Sequence, residues 1–222
     1  MSYRSDAPPT GFEPVHLPPE GSALSPELRG HLGKAISHNS CQDALVSEKR
    51  EERAYFATGC FWGAERRFWK LPGVLATSVG YMGGTRSNPT YEQVCTGTTN
   101  HAETVEVKYD PEQISYERLL EEFWTMHDPT SLNKQGGDIG TQYRSAIFTT
   151  SKDQMISAVN TREIYNDVLK TQGFSEIVTE IQEAAPHTYW PAEEYHQRYL
   201  EKNPGGYDCH STTGVPFPRV RG

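Results

Sequence analysis

At 222 residues the chain is long enough for one domain with an extension, and its 8 Phe, 4 Trp and 12 Tyr supply a core that excludes wholesale disorder. Its 21 basic against 29 acidic side chains give a net charge of −8, which excludes a general nucleic-acid binder. No apolar run approaches the roughly 20 residues needed to cross a bilayer, and the start, MSYRSDAPPTGFEP, lacks a signal core and carries acids. A cytoplasmic protein off the membrane is expected, with an organelle left open.

Four cysteines stand at Cys41, Cys60, Cys95 and Cys209, with no C-x-x-C pair among them. A zinc ribbon and a thioredoxin-type dithiol are therefore set aside, and no metal site is expected. Isolated thiols remain, each either buried and inert or singly reactive.

Residues 1–52 hold six of the 15 prolines within the first 26 positions and show no sustained period, so they read as an extended N-terminal arm carrying Cys41. The domain that carries the chemistry is expected over 53–202. Arg53 to Thr58 reads as a strand entering a Gly-Cys turn, and Trp62 to Leu71 as a short helix stopped by Leu71-Pro72-Gly73. Val74 to Tyr81 is a second strand, followed by a loop through Gly83-Gly84 and Asn88-Pro89. Ala102 to Tyr109 alternates, with Val105, Val107 and Tyr109 on one face and Glu106 and Lys108 on the other.

Ser115 caps the next helix, whose apolar stripe is Tyr116, Leu119, Leu120 and Phe123. Arg144 to Thr149 is another strand. Ser151 and Gln154 have capping-box spacing before a helix running to about Lys170. Ile177 to Glu183 is a last strand candidate and Ala192 to Lys202 a last helix. Two β-α-β units side by side predict an α+β fold, a two-layer sandwich of the ferredoxin-like kind. From Asn203 to the end the chain is rich in Pro and Gly, which predicts a flexible coil tail carrying Cys209.

Three segments carry chemistry. In Thr58-Gly59-Cys60-Phe61-Trp62-Gly63-Ala64-Glu65 a cysteine sits where a strand turns into a helix. Unpaired N–H groups and a partial positive charge at a helix start favour thiolate over thiol. The position suits either a nucleophile or a buried structural cysteine. Phe61 and Trp62 suit either the core or an apolar wall for a small uncharged group such as a methyl.

His101-Ala102-Glu103 opens a strand. Its carboxyl is either a solvated surface group or, beneath apolar rings, an acid kept protonated by burial. Gly136 to Ser145, GGDIGTQYRS, presents polar side chains from a glycine-rich loop and lacks the phosphate-binding pattern. Tyr91, after Asn88-Pro89-Thr90, is a lone phenol in an irregular segment.

With GCFWGAE at 59–65, GYMGGTRSNPTYEQV at 80–94, HAE at 101–103, HDPTSLNKQGGDIGTQYRS at 127–145 and AEEYHQRYL at 192–200, the chain resembles the A-type peptide methionine sulfoxide reductases over about 53–209. The resemblance implies a nucleophile at Cys60 that attacks the sulfoxide sulfur, with Glu103 giving a proton to the sulfoxide oxygen and Tyr91 and Tyr143 hydrogen-bonding it. It implies that Phe61 and Trp62 hold the substrate methyl and that Asp138 orients the substrate. Cys60 would become a sulfenic acid, and Cys209 would condense with it to a disulfide. No bound cofactor is implied; thioredoxin or another dithiol is the external reductant. Substrates would be the S epimers of methionine sulfoxide in proteins and peptides, with the free amino acid a further substrate, in a repair role under oxidative stress. The protein is expected to act as a monomer.

The chain departs from that pattern in two places. Ile139 stands where members often carry His, and Gly-Tyr-Asp-Cys replaces a thiol placed directly after Gly-Tyr. Cys95 after Val94 matches a common family cysteine and is taken as structural. Two rival readings remain: a cysteine hydrolase or acyltransferase with His101, His127, His187 or His196 as base, and a non-catalytic module that binds oxidised peptides through Trp62 and the tyrosines.

Overall fold

The computed structural model of the chain describes residues 50–208 and 211–218. The arm at 1–49, with Cys41, and the position of Cys209 lie outside the described residues. Within them, strands β1 (Glu52–Thr58), β2 (Val74–Met82), β3 (Ala102–Tyr109) and β6 (Ser145–Thr149) form the centre of one sheet. Their order is β6-β1-β3-β2 and every pairing among them is antiparallel. Helix α1 (Phe61–Phe68) connects β1 to β2, and α3 (Tyr116–Met126) connects β3 to β6. This is the ferredoxin-like β-α-β-β-α-β arrangement, an α+β fold.

Two short strands widen it. β7 (Glu180–Glu183) pairs parallel to β6, and β8 (Trp190–Pro191) pairs antiparallel to β2 at Gly80 and Tyr81. Beyond that pair the edge of β2 is closed by a side chain. Gln197 accepts the Val79 N–H at 2.9 Å through Oε1 and donates through Nε2 to the Val79 carbonyl at 2.9 Å.

Alternation along β3 sends Glu103, Val105, Val107 and Tyr109 to one face, the parity that the sequence shows. Val105, Val107 and Tyr109 join Ala54, Phe56, Phe61, Phe68, Leu119, Leu120 and Phe123 in the main core, between the sheet and α1, α3 and α4 (Lys152–Thr171). Burying each such aliphatic or aromatic side chain contributes about 1.5–3 kcal/mol. A smaller cluster of Ala57, Met82, Ala102, Ala146 and Phe148 lies on the opposite face.

Ser115 and Ser151 cap α3 and α4 as their positions predict, accepting from Arg118 N and Gln154 N at 3.2 Å each. The reciprocal half of the second box is replaced. Gln154 turns its amide outward, accepting from Thr150 N–H and donating to the Arg53 carbonyl, which ties the helix start to β1.

Several boundaries differ from the sequence reading. α1 starts one residue earlier and ends at Phe68, and α2 (Tyr91–Cys95) forms where an irregular segment was expected. A small hairpin, β4 (Lys134–Gln135) with β5 (Asp138–Ile139), occupies the glycine-rich loop. The strand expected from Ile177 begins only at Glu180, because Ile177 and Val178 give their N–H groups to Asn166 Oδ1 and the Pro129 carbonyl. The helix expected over 192–202 is reduced to α5 (Tyr199–Lys202). Arg198 at φ +54° is left-handed and gives its N–H to buried Glu65 at 2.9 Å, so a continuous helix cannot pass through it. Beyond α5, Val215 and Phe217 pack on the main core, with Phe217 stacked on Tyr165 at 5.6 Å.

Candidate active site

Cys60 is held at the strand-to-helix turn by the residue before it. Gly59 has φ +100°, and a Cβ there would lie 2.6 Å from Gln135 Cγ. Gln135 is itself fixed, accepting from Asp128 N–H at 3.1 Å and donating to the Asp128 carbonyl at 2.7 Å. Only glycine satisfies both the dihedral and the contact. Cys60 then occupies the N-cap of α1 with its side chain 6% exposed and making no cap hydrogen bond. Cys60 lines the cavity beside the helix start.

Glu103 comes to the same place from β3. It is buried and accepts from the Phe61 backbone N–H at 3.1 Å through Oε2, satisfying one donor of the first turn of α1. Burial pushes its pKa up to about 8, the Phe61 N–H opposes that rise, and the charge of Asp138 adds to it. At neutral pH the carboxyl therefore holds a proton, and the oxygen not bonded to Phe61 is the one placed to carry it.

Tyr91 and Tyr143 complete the polar side. Thr90 caps α2 with a full capping box to Gln93, and Tyr91 N–H donates to Glu193 Oε1 at 2.9 Å. Tyr143 ends a one-turn 3-10 helix, Thr141–Tyr143. Burial first, and the charge of Glu103 second, push both phenols above the ordinary tyrosine value, so both stay hydrogen-bond donors. Asp138, on β5, accepts from Tyr207 Oη at 3.1 Å through Oδ1, while its buried Oδ2 has no hydrogen-bond partner.

The apolar side is Phe61 and Trp62. Phe61 is fully buried against Tyr81 and His196, with ring centroids 6.0 and 5.1 Å away. Trp62 stacks on Tyr199 at 4.0 Å and donates its indole N–H to His196 Nδ1 at 3.0 Å.

Cys60, Phe61, Trp62, Tyr91, Glu103, Asp138, Tyr143 and Tyr207 enclose one cavity of about 210 Å³. Pockets for drug-sized ligands run to about 300–1,000 Å³, so this one is matched to a single side chain. Three larger hollows among the described residues, of about 630, 340 and 690 Å³, lie against Glu51, Glu117 and Asp153, against Arg66, Arg67 and Glu122, and between α4 and residues 214–218; none is lined by a cysteine or a histidine. Seven of the eight residues singled out from the sequence thus meet in one place, and the eighth, Cys209, lies outside the described residues.

Ile139, next to Asp138, is 74% exposed and does not line the cavity. Cys95 lies on the exposed side of α2, hydrogen-bonded to the Tyr91 hydroxyl, and burial pushes its thiol above the ordinary value. The hydrolase reading needs an imidazole at the thiol, and none of the four histidines lines this cavity. His101 bonds Gly84 N and the Arg86 carbonyl, His127 bonds the Phe123 carbonyl and Ser145, and His187 bonds Gln182. His196 bonds Trp62.

Sequence reasoning missed Glu193, Tyr199 and Tyr207 as parts of the site and named His196 only as a candidate base in the hydrolase reading. Their signal was available in AEEYHQRYL and in the Gly-Tyr before the last cysteine, but the sequence reading makes 192–202 only a last helix and 203 onward only a coil tail.

Residues 52–216 match the family model described as peptide methionine sulfoxide reductase. A peptide methionine sulfoxide reductase MsrA of Salinispora arenicola is 54% identical over 167 residues, covering 74% of this chain and 75% of that protein. The mitochondrial peptide methionine sulfoxide reductase of Homo sapiens is 53% identical, covering 75% of this chain and 70% of that protein. Among solved structures, methionine sulfoxide reductase A of Corynebacterium diphtheriae superposes with a TM-score of 0.69 at 46% identity, over 76% of this chain and 84% of that one. Mxr1 of Saccharomyces cerevisiae in reduced form superposes with a TM-score of 0.66 at 36% identity, over 73% of this chain and 92% of that one. The chain belongs to the peptide methionine sulfoxide reductase family.

Proposed function

We propose that this protein reduces the S epimer of methionine sulfoxide in peptides and proteins through Cys60, with Glu103 as general acid. One observation carries the assignment: a carboxyl held protonated by burial shares a side-chain-sized cavity with a thiol at a helix start, opposite an aromatic wall. A sulfoxide oxygen leaves sulfur readily only once protonated, and Glu103 holds that proton at neutral pH. Tyr91 and Tyr143 donate hydrogen bonds to the same oxygen as its charge develops. Phe61 and Trp62 take the methyl, and Asp138, which lines the same cavity, helps to orient the substrate. Distinct walls for methyl and oxygen make the cavity chiral, which is why one epimer fits.

The Cys60 sulfur bonds to the sulfoxide sulfur and the substrate S–O bond breaks; the transient S–S bond then breaks as the oxygen with its proton comes to Cys60, which releases methionine and leaves a sulfenic acid on Cys60. Substrate sulfur gains two electrons and Cys60 loses two. A second thiol then displaces water to form a disulfide, which an external dithiol such as thioredoxin reduces. Incubation with a racemic methionine sulfoxide peptide and dithiothreitol is expected to consume only the S epimer, with the R epimer recovered intact. Equal loss of both epimers would rule out the chiral pocket.

Cys209 is proposed as the resolving thiol. Tyr207 lines the cavity and Asp208 forms an ion pair with Arg66 on α1, so the chain is fastened beside Cys60 just before Cys209. Cys209→Ser is expected to release one methionine per enzyme and then stall with thioredoxin as sole reductant, while dithiothreitol restores turnover. A Cys60–Cys95 bridge in the wild type, with full thioredoxin-dependent cycling in Cys209→Ser, would overturn that role.

A further inference from the structure

We propose that His196 is a positioning residue for the reduction, setting the methyl wall by holding the Trp62 indole through Nδ1 and bracing Phe61 and Tyr91 with its ring; this rests on the function proposed above. The imidazole is 1% exposed and lies 134 residues from the tryptophan that it binds. Its ring centroid is 5.1 Å from Phe61, 5.6 Å from Trp62, 4.5 Å from Tyr91 and 4.1 Å from Tyr195. Three of the residues that line the cavity therefore rest on one ring, although only Phe61 and Trp62 are neighbours in the chain.

The chemistry of the ring decides between packing and positioning. An indole N–H only donates, so Nδ1 must be the acceptor and the imidazole proton must sit on Nε2. That Nε2 is buried with no hydrogen-bond partner, and the Glu193 Oε2 nearest to it is 3.9 Å away. A phenylalanine would fill the space without stranding a polar atom, which ordinarily costs about 1–3 kcal/mol. Only the acceptor at Nδ1 explains a histidine there. Burial lowers the imidazole pKa against the opposing charges of Glu193 and Glu92, which keeps Nδ1 unprotonated at neutral pH.

Glu193 supports the same wall from the other side. It accepts the Tyr91 N–H at 2.9 Å and the Tyr81 hydroxyl at 2.8 Å, and Tyr81 packs on Phe61. The turn between β8 and α5 thus fastens the methyl-binding rings and one of the oxygen-binding phenols at once. Holding reacting groups to within about an ångström is worth up to a hundred-fold in rate, so the loss of one such hold should be measurable.

The test compares two substitutions that divide the functions of the ring. His196→Phe keeps the packing and removes the acceptor; His196→Asn places an amide oxygen near the Nδ1 position and removes most of the ring. His196→Phe is expected to lower kcat/KM for a methionine sulfoxide peptide by about ten- to a hundred-fold, and to narrow the preference for a methyl over an ethyl sulfoxide. It should also shift the Trp62 fluorescence, read as the difference from a Trp62→Phe control because Trp69, Trp124 and Trp190 emit as well. His196→Asn should restore the methyl preference to within a few-fold of wild type. An unchanged preference and emission in folded His196→Phe, or an equal loss in both variants, would overturn the proposal.

Nitrogen-15 spectra of the unaltered protein supply a measurement that needs no substitution. They should show an Nε2–H tautomer at His196 and a slowly exchanging indole proton at Trp62; an Nδ1–H tautomer would refute the hold. Absence of sulfoxide reduction by wild type would sink the reductase assignment, while the tautomer and the indole exchange would still decide whether His196 holds Trp62.

Discussion

Cys60→Ser is expected to lower single-turnover reduction of a methionine sulfoxide peptide by at least about a thousand-fold while leaving the fold intact. The hydroxyl is a far weaker nucleophile at neutral pH and cannot carry the oxygen as a sulfenic acid. Serine is smaller than cysteine and enters a site that makes no cap hydrogen bond, so neither α1 nor the Gly59 turn should shift. Quenched-flow measurement of methionine released, with circular dichroism on the same sample, checks both halves. A folded Cys60→Ser protein that still turns over would move the chemistry to another residue. Alkylation of the wild type should inactivate at Cys60; inactivation traced to Cys95 would do the same damage to the assignment.

Glu103→Gln is expected to slow the chemical step by about a hundred- to ten-thousand-fold, the range for removal of a general acid. The amide oxygen can still accept the Phe61 N–H, so geometry survives and only the proton is lost. Glu103→Asp, which keeps an acid on a shorter arm, should lose less. The same group gives a signature in stability. Its folded pKa of about 8 lies above the ordinary 4.5, so between those values the folded state keeps a proton that the unfolded chain releases. Stability must therefore fall as pH rises from about 4.5 to about 8 and level off beyond. Glu103→Gln should lose that slope, matching wild type near pH 4 and exceeding it at pH 8 in urea denaturation. Activity that depends on the protonated acid should likewise decline above about pH 8 in the wild type. An unaltered single-turnover rate in Glu103→Gln would place the proton donor elsewhere.

How far the sequence carries depends on whether a signal is local. The alternation of β3 put Glu103 on the same side as Val105 and Val107, which is why its carboxyl lies under α1 rather than in water. The Gly-Cys turn was equally readable, since a glycine between strand and helix has few other uses. What periodicity could not show was convergence. Tyr91, Asp138 and Tyr143 come from a five-residue helix, a two-residue strand and a single 3-10 turn, elements too short to leave a repeat. The resemblance brought them together where residue spacing alone could not. The stretch 192–202 misled for the opposite reason: its composition suits a helix, but bonds to Glu65, Tyr91, Tyr81 and Trp62 stretch its first half into turns. Distant partners overruled local preference there.

The closure of the β2 edge by Gln197 bears on the company this protein keeps. A sheet that ends on open N–H and C=O groups is a template for foreign strands, and oxidised, partly unfolded chains are rich in such strands. Here the Val79 amide and carbonyl are already taken by one glutamine side chain, Gly80 and Tyr81 by β8, and β7 at the other border carries Glu180 and Glu183. A damaged polypeptide can thus offer a side chain to the cavity without adding a strand to the sheet. An incoming strand finds no open backbone partner at Val79, Gly80 or Tyr81.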